Sequence, residues 1–246
     1  MTVKKEVYVD AQATSAACAA KIVEIVTEVL ALRPKASLAI SGGTTPKLLF
    51  AELAGLPIDW GRVHLFWVDE RGVPPTDSQS NYKLAKENLI DAAKIPATSV
   101  HRIQAELAPE LAARLYTSEI QNFFGLRPGE IPQFDIIHRG MGPDAHTASL
   151  FPGESLIDNR ADIAGAVYVE KFKQWRVTLL PAVLQKATHT LMLVAGQDKA
   201  EPLQQVLYGP YEPKQYPCQI GVRDGGGDVI WYLDEAAARL VKNAVA

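Results

Sequence analysis

The sequence predicts an α/β fold: a single domain with a mostly parallel, doubly wound, Rossmann-like sheet and helices on both faces. Three observations carry this. Short β-branched or apolar runs alternate with longer amphipathic stretches along the whole chain, the signature of repeated strand–helix units. Several apolar runs end directly in glycine-rich or charged turns, and the carboxyl edge of an open parallel sheet is where ligands bind. No low-complexity linker interrupts residues 1–246, so one domain is expected.

Taken in order, Val3 to Val9 alternates as a strand does. From Ala11 to Leu32, Ile22, Ile25, Val26 and Val29 share one helical face and Lys21, Glu24 and Glu28 another, with Asp10 as N-cap and Pro34 as stop. Ser37 to Ile40 reads as a strand, then a Gly-Gly turn and a helix from Pro46 to about Ala54. Val63 to Val68 is a strand ending in Asp69-Glu70-Arg71, and a helix from about Asn81 to Ile90 follows a polar loop. Pro109 to Phe124 reads as helix, and Phe134 to Ile137, Val167 to Glu170 and Thr190 to Ala195 as strands. Lys199 to Leu207 is a helix that tolerates Pro202 in its first turn. Tyr208 to Gly227 is a long loop, Val229 to Leu233 a last strand, and Asp234 caps a closing helix to Val241.

Composition narrows the function classes. The chain is 48% hydrophobic and 22% charged, ordinary for a domain with a sizeable core. A net charge of -3 offers no field to attract nucleic acid or a membrane surface, and no obligate protein partner is evident. Cys18 and Cys218 lack metal-type spacing and are expected to be reduced structural thiols. No apolar run approaches a membrane span. The first residues alternate like a strand instead of forming a secretory apolar segment. A cytoplasmic protein is expected.

Four loops are candidates for one site. Ser41-Gly42-Gly43-Thr44-Thr45-Pro46 lies between a strand and a helix; glycines let backbone amides approach an anion, and the helix start adds partial positive charge. Its spacing is neither that of a Walker loop nor of the dinucleotide fingerprint, so phosphate binding and a plain turn both stay open. Asp69-Glu70-Arg71 reads either as a solvated loop or as a site in which Arg71 grips a phosphate and an acid holds it. The third loop, Met141-Gly142-Pro143-Asp144-Ala145-His146, carries an acid and an imidazole two residues apart on a turn after an apolar run. The fourth, Gly196-Gln197-Asp198-Lys199-Ala200, places Lys199 in the first turn of a helix, a conflict with the helix dipole that a bound anion would resolve. Arg176, beside an apolar segment, is a further cation.

In series, Ser-Gly-Gly-Thr-Thr-Pro, Val-Asp-Glu-Arg, Ser80-Asn81-Tyr82, Gly-Met-Gly-Pro-Asp-Ala-His-Thr-Ala-Ser-Leu-Phe-Pro-Gly, Arg-Val-Thr-Leu and Gly-Gln-Asp-Lys-Ala resemble the 6-phosphogluconolactonase family over nearly the whole chain. The wider superfamily includes glucosamine-6-phosphate deaminase. Ser149-Leu150-Phe151 after the histidine turn favours the lactonase branch, since the deaminase turn continues with Phe-Asn-Glu-Pro-Gly.

The resemblance implies hydrolysis of 6-phospho-D-glucono-1,5-lactone to 6-phosphogluconate in the oxidative pentose phosphate pathway, without metal or organic cofactor. His146 is then the base that activates water, with Asp144 orienting it and amides around Gly142 receiving the oxyanion. Ser41, Gly42, Gly43, Thr44, Asp69, Arg71, Arg176 and Lys199 are left to bind the sugar phosphate. Attack by water instead of Ser149 is expected. The chain departs from the family pattern at Ala145, where glycine is usual and where a negative φ is expected. It departs again at His138 and Arg139, where apolar residues are usual; structural partners are expected for both. The rival readings are a hexosamine-phosphate isomerase or deaminase using Asp69, and a non-catalytic sugar-phosphate sensor, for which no spare basic DNA-binding segment is evident.

Overall fold

The computed structural model describes residues 3–241. Its elements in chain order are β1 (Val3–Tyr8), α1 (Ala11–Leu32), β2 (Ala36–Ile40), α2 (Thr44–Ala54), β3 (Val63–Trp67), β4 (Asp69–Arg71), α3 (Asn81–Ala85), β5 (Val100–His101), α4 (Pro109–Phe124), β6 (Ile136–Arg139), β7 (Ala164–Val169), β8 (Gln174–Leu179), α5 (Pro181–Lys186), β9 (His189–Val194), α6 (Ala200–Tyr208) and β10 (Asp228–Asp234). Seven strands form one sheet in the order β1-β10-β9-β6-β2-β3-β5, with every neighbouring pair parallel. From β2 the chain builds outward through β3 to β5, and from β6 it builds the other way through β9 to β10. The order therefore reverses between β2 and β6, which places a ligand crevice at their carboxyl ends.

Both faces of this sheet are covered, and the side-chain alternation of a strand shows it. Along β9, Leu191 and Leu193 enter the apolar cluster that also holds Ile22 and Ile25 of α1 and Leu49 of α2. Met192 and Val194 enter the opposite cluster with Leu203 and Val206 of α6. A strand buried on both faces reads as a continuous apolar run, and Leu191 to Val194 is one.

Local signals acted as their chemistry requires. Asp10 Oδ1 accepts the Ala13 N–H at 2.8 Å, capping α1. Pro202 sits in the first turn of α6, where its missing N–H costs nothing. Asp234 Oδ1 accepts the Ala237 N–H, but only a 3-10 turn over Ala237–Leu240 follows, so the expected closing helix is a single turn. The 81–90 helix is α3 continued by a π turn over Lys86–Ile90.

Two expectations are corrected. The strand placed at Phe134 to Ile137 runs two residues later, so His138 and Arg139 lie inside it and are fully buried. His138 Nδ1 accepts the Ser41 N–H at 3.4 Å, and Arg139 donates to the Ile220 carbonyl at 2.9 Å; each has one structural partner, while His138 Nε2 and Arg139 Nε and Nη1 are buried without one. The charged run after β3 is not a solvated loop. It is β4, which joins β8 and β7 in a separate antiparallel sheet that the strand–helix alternation did not suggest.

Candidate active site

The first wall of the crevice is the turn after β2. Gly43 adopts φ 126 as N-cap of α2, a conformation open to glycine. Gly42 is fixed by space: a Cβ there would lie 1.8 Å from Asn81 Oδ1. No side chain caps α2, so the amides of its first turn remain donors for an anion. The buried Ser41 hydroxyl also lacks a hydrogen-bond partner.

The second wall is the small sheet. Asp69 pairs with Thr178, and Arg71 with Arg176, so these four side chains share one face. Two guanidinium groups directly opposite each other repel, and the Nε atoms of both arginines are buried without partners. Asp69 compensates in part, with its Oδ2 3.9 Å from Arg176. Arg71 also donates to the Gln79 carbonyl at 2.6 Å. Burial pushes the Arg176 pKa down and the Asp69 charge resists, while Arg71 adds to the fall.

On the other face, Glu70 accepts the backbone N–H groups of Arg71, Asn81 and Tyr82 and the Ser80 hydroxyl, at 2.7–3.0 Å. Burial pushes its carboxyl up, and these four donors oppose it. Glu70 thus ties β4 to the start of α3. Asn81 extends the tie, donating to the Asp69 carbonyl at 2.8 Å.

The third wall is the turn after β6. The Gly142 N–H donates to the His146 carbonyl at 2.8 Å, and the Ala145 N–H to the Gly142 carbonyl at 3.0 Å. The amide of Gly142 itself is thus committed within the turn, and the space at Gly142 is required as well, because a Cβ there would lie 2.0 Å from His146 Nδ1. Ala145 has φ 60, overturning the expected negative value. The tight turn demands the left-handed region, which costs a non-glycine residue about 1 kcal/mol. The buried Ala145 methyl belongs to the same apolar cluster as Cys218, and the Ala145 carbonyl accepts the Cys218 N–H at 2.9 Å.

Within this turn, His146 Nδ1 meets Asp144 Oδ1 at 2.5 Å, and the imidazole stacks on Phe151 with ring centroids 4.2 Å apart. Asp144 thereby holds the Nδ1–H tautomer and leaves Nε2 as the acceptor. Burial pushes the Asp144 carboxyl up, but the hydrogen bond and charge of His146, joined by Lys171, outweigh it and hold it well below the usual carboxylate range. Ser149 is fully buried; its hydroxyl donates to Asp69 at 2.6 Å and its N–H to Thr178 at 3.2 Å.

The fourth wall is the loop after β9. Lys199 ends a 3-10 turn over Gln197–Lys199, and its ammonium pairs with Asp198 at 2.8 Å. The neighbouring carboxylate thus relieves part of the conflict with the helix dipole that an anion was expected to resolve.

These walls enclose one cavity of about 530 Å³. Ser41, Gly42, Gly43 and Thr44 line it with Asp69, Arg71, Gly142, His146, Arg176 and Lys199. Asp144 is the one candidate outside the lining; it touches the cavity only through its hydrogen bond to His146. Asp234 also lines the cavity, accepting the Gly196 N–H; the sequence marked it as a helix cap and not as a cavity residue. Asn81 belonged to a recognised motif, yet only the coordinates reveal its place against Gly42. Among the described residues no group of three or more His, Cys, Asp or Glu could hold a metal ion, and no helix is long and apolar enough to cross a membrane.

Residues 9–231 match the family of glucosamine-6-phosphate isomerases and 6-phosphogluconolactonases. The chain belongs to this family. It is 36% identical over 235 residues to a 6-phosphogluconolactonase of Treponema pallidum, covering 90% of this chain and 95% of that protein. It is also 36% identical over 208 residues to a 6-phosphogluconolactonase of Haemophilus influenzae, covering 83% and 87% of the two chains. The solved structure of a 6-phosphogluconolactonase from Trypanosoma brucei superposes with a TM-score of 0.87 at 27% identity, covering 98% of this chain and 99% of the other.

Proposed function

We propose that this family member is a 6-phosphogluconolactonase, hydrolysing 6-phospho-D-glucono-1,5-lactone to 6-phosphogluconate. The observation that carries the reading is one cavity lined by both an oriented imidazole and the opposed Arg71–Arg176 pair. A sugar phosphate needs a dianion site at one end and ester chemistry at the other, and close positioning supplies much of the rate. The phosphate lies against the amides of Gly43 and Thr44, the Ser41 hydroxyl, Arg71 and Arg176, with Lys199 adding charge.

His146 Nε2 takes a proton from water as its oxygen attacks C1 of the lactone, and the imidazolium then returns that proton to the departing ring oxygen. Asp144 stabilises the transient imidazolium. Ser149 is no nucleophile in this scheme, since its hydroxyl is buried and committed to Asp69. The deaminase alternative needs an acid free to abstract a proton beside a carbonyl. Asp69 instead already accepts from Ser149 and faces Arg176, which favours the lactonase. A cytoplasmic setting fits two cysteines that are both buried and free.

The test is an assay with freshly generated lactone, corrected for spontaneous hydrolysis, beside ammonia release from glucosamine 6-phosphate. Catalysed lactone loss without ammonia supports the reading; ammonia release at comparable rate overturns it.

A further inference from the structure

The turn joining β7 to β8 carries Lys171, a residue with no part in substrate binding above. The ammonium lies 3.1 Å from Asp144 Oδ2, while Asp144 Oδ1 holds His146 Nδ1 at 2.5 Å. The two carboxylate oxygens thus divide between a permanent cation and the imidazole. The same turn places Phe172 against Phe151, with centroids 5.7 Å apart, and Phe151 is the ring on which His146 stacks. The hairpin therefore reaches the imidazole from two sides, through charge and through aromatic contact.

We propose that Lys171 is a positioning residue that, by occupying one oxygen of Asp144, offsets the pull of that carboxylate on the imidazole of His146. This inference rests on the proposed role of His146. A carboxylate beside an imidazole stabilises the imidazolium and raises its pKa. A cation on the other carboxylate oxygen offsets that attraction and also repels the imidazolium directly. Both effects of Lys171 act in one direction, against a positive charge on the imidazole. The remaining charges near the imidazole are those of the cavity wall: Asp69, Arg71, Arg176, Asp198, Lys199 and Asp234. None of them is ion-paired or hydrogen-bonded to His146 or Asp144 among the described residues. On the hairpin side, Glu170 and Glu154 act on one another. Lys171 is the cation in direct contact with Asp144.

The Lys171 side chain is exposed, so its replacement leaves the core untouched and its effect is modest. The experiment follows the His146 Cε1–H resonance through a pH titration of the wild type and of the Lys171→Gln, Lys171→Glu and Lys171→Arg variants. The acid limb of kcat/KM is recorded alongside. Lys171→Gln raises the His146 midpoint by about 0.2 to 0.7 of a pH unit. Lys171→Glu raises it further, Lys171→Arg restores it, and salt shrinks the differences. An unchanged resonance midpoint in both the Gln and Glu variants overturns the proposal. A resonance midpoint that moves while the acid limb stays still upholds the Lys171 coupling and instead removes His146 from the base role.

Discussion

The cavity has two functional regions, and they treat their hydrogen-bonding groups in opposite ways. The His146 turn is closed on itself: the Gly142 and Ala145 amides bond within it, Asp144 takes Nδ1, and the Cys218 amide fixes the Ala145 carbonyl. The region around Arg71 and Arg176 is left open, with both Nε atoms and the Ser41 hydroxyl buried and unpartnered. Unsatisfied buried donors cost roughly 1–3 kcal/mol each, and opposed cations add repulsion; an arriving dianion removes both penalties. Satisfied groups fix orientation, and unsatisfied ones store affinity. Under the proposed function, the first region serves the chemistry and the second the binding.

The sharpest way to break this contrast is His146→Ala. Turnover of the lactone should fall about 100- to 10,000-fold, while the calorimetric affinity for 6-phosphogluconate changes by less than about threefold. Comparable losses in both would mean the two regions are one. Next in size is Arg176→Gln, which should weaken 6-phosphogluconate binding about 10- to 100-fold and leave the His146 titration in place; unchanged affinity would remove the arginine pair from the phosphate site.

Gly142→Ala pushes a methyl into the imidazole. It should reduce kcat about tenfold or more and destabilise by about 1–3 kcal/mol, measured by kinetics and denaturant unfolding; wild-type kcat would show that the turn yields. Asp144→Asn tests the charge within the closed turn. The folded carboxyl is held below its unfolded value, so its contribution is present above about pH 4 and fades as pH falls through the lowered folded pKa. The variant should be less stable at pH 7, with the gap closing in acid; a pH-independent gap would contradict the ion-pair account. The smallest effect belongs to Ala145→Gly. Relief of the left-handed conformation is offset by a lost buried methyl and a more flexible unfolded chain, so stability should stay within about 1 kcal/mol. A larger loss would show that burial of the methyl in the Cys218 cluster dominates.

How much of this was legible follows from the physics of each signal. Alternation of apolar runs and amphipathic stretches specified the parallel sheet and its covered faces, because burial on both sides leaves a strong mark. The cavity loops were legible because glycine, proline and charge collect where strands end. The antiparallel sheet was not. In β4 the chain buries Asp69 and Glu70, and only distant donors such as Ser149, Tyr82 and Asn81 make that burial affordable. In β8, Gln174 and Trp175 are not buried and Arg176 interrupts the pattern, so the short apolar segment after it did not read as a strand. Ala145 was misjudged because a φ value depends on closure of the whole turn, which residue identity alone does not reveal. Lys171 carried no signal, since its partner lies 27 positions away.

The most direct test of the account is a crystal structure with 6-phosphogluconate bound. The account predicts the phosphate between Arg71, Arg176 and the Gly43–Thr44 amides, with the C1 carboxylate about 3 Å from His146 Nε2. A phosphate seated against His146, or a sugar lying outside the cavity, would contradict it.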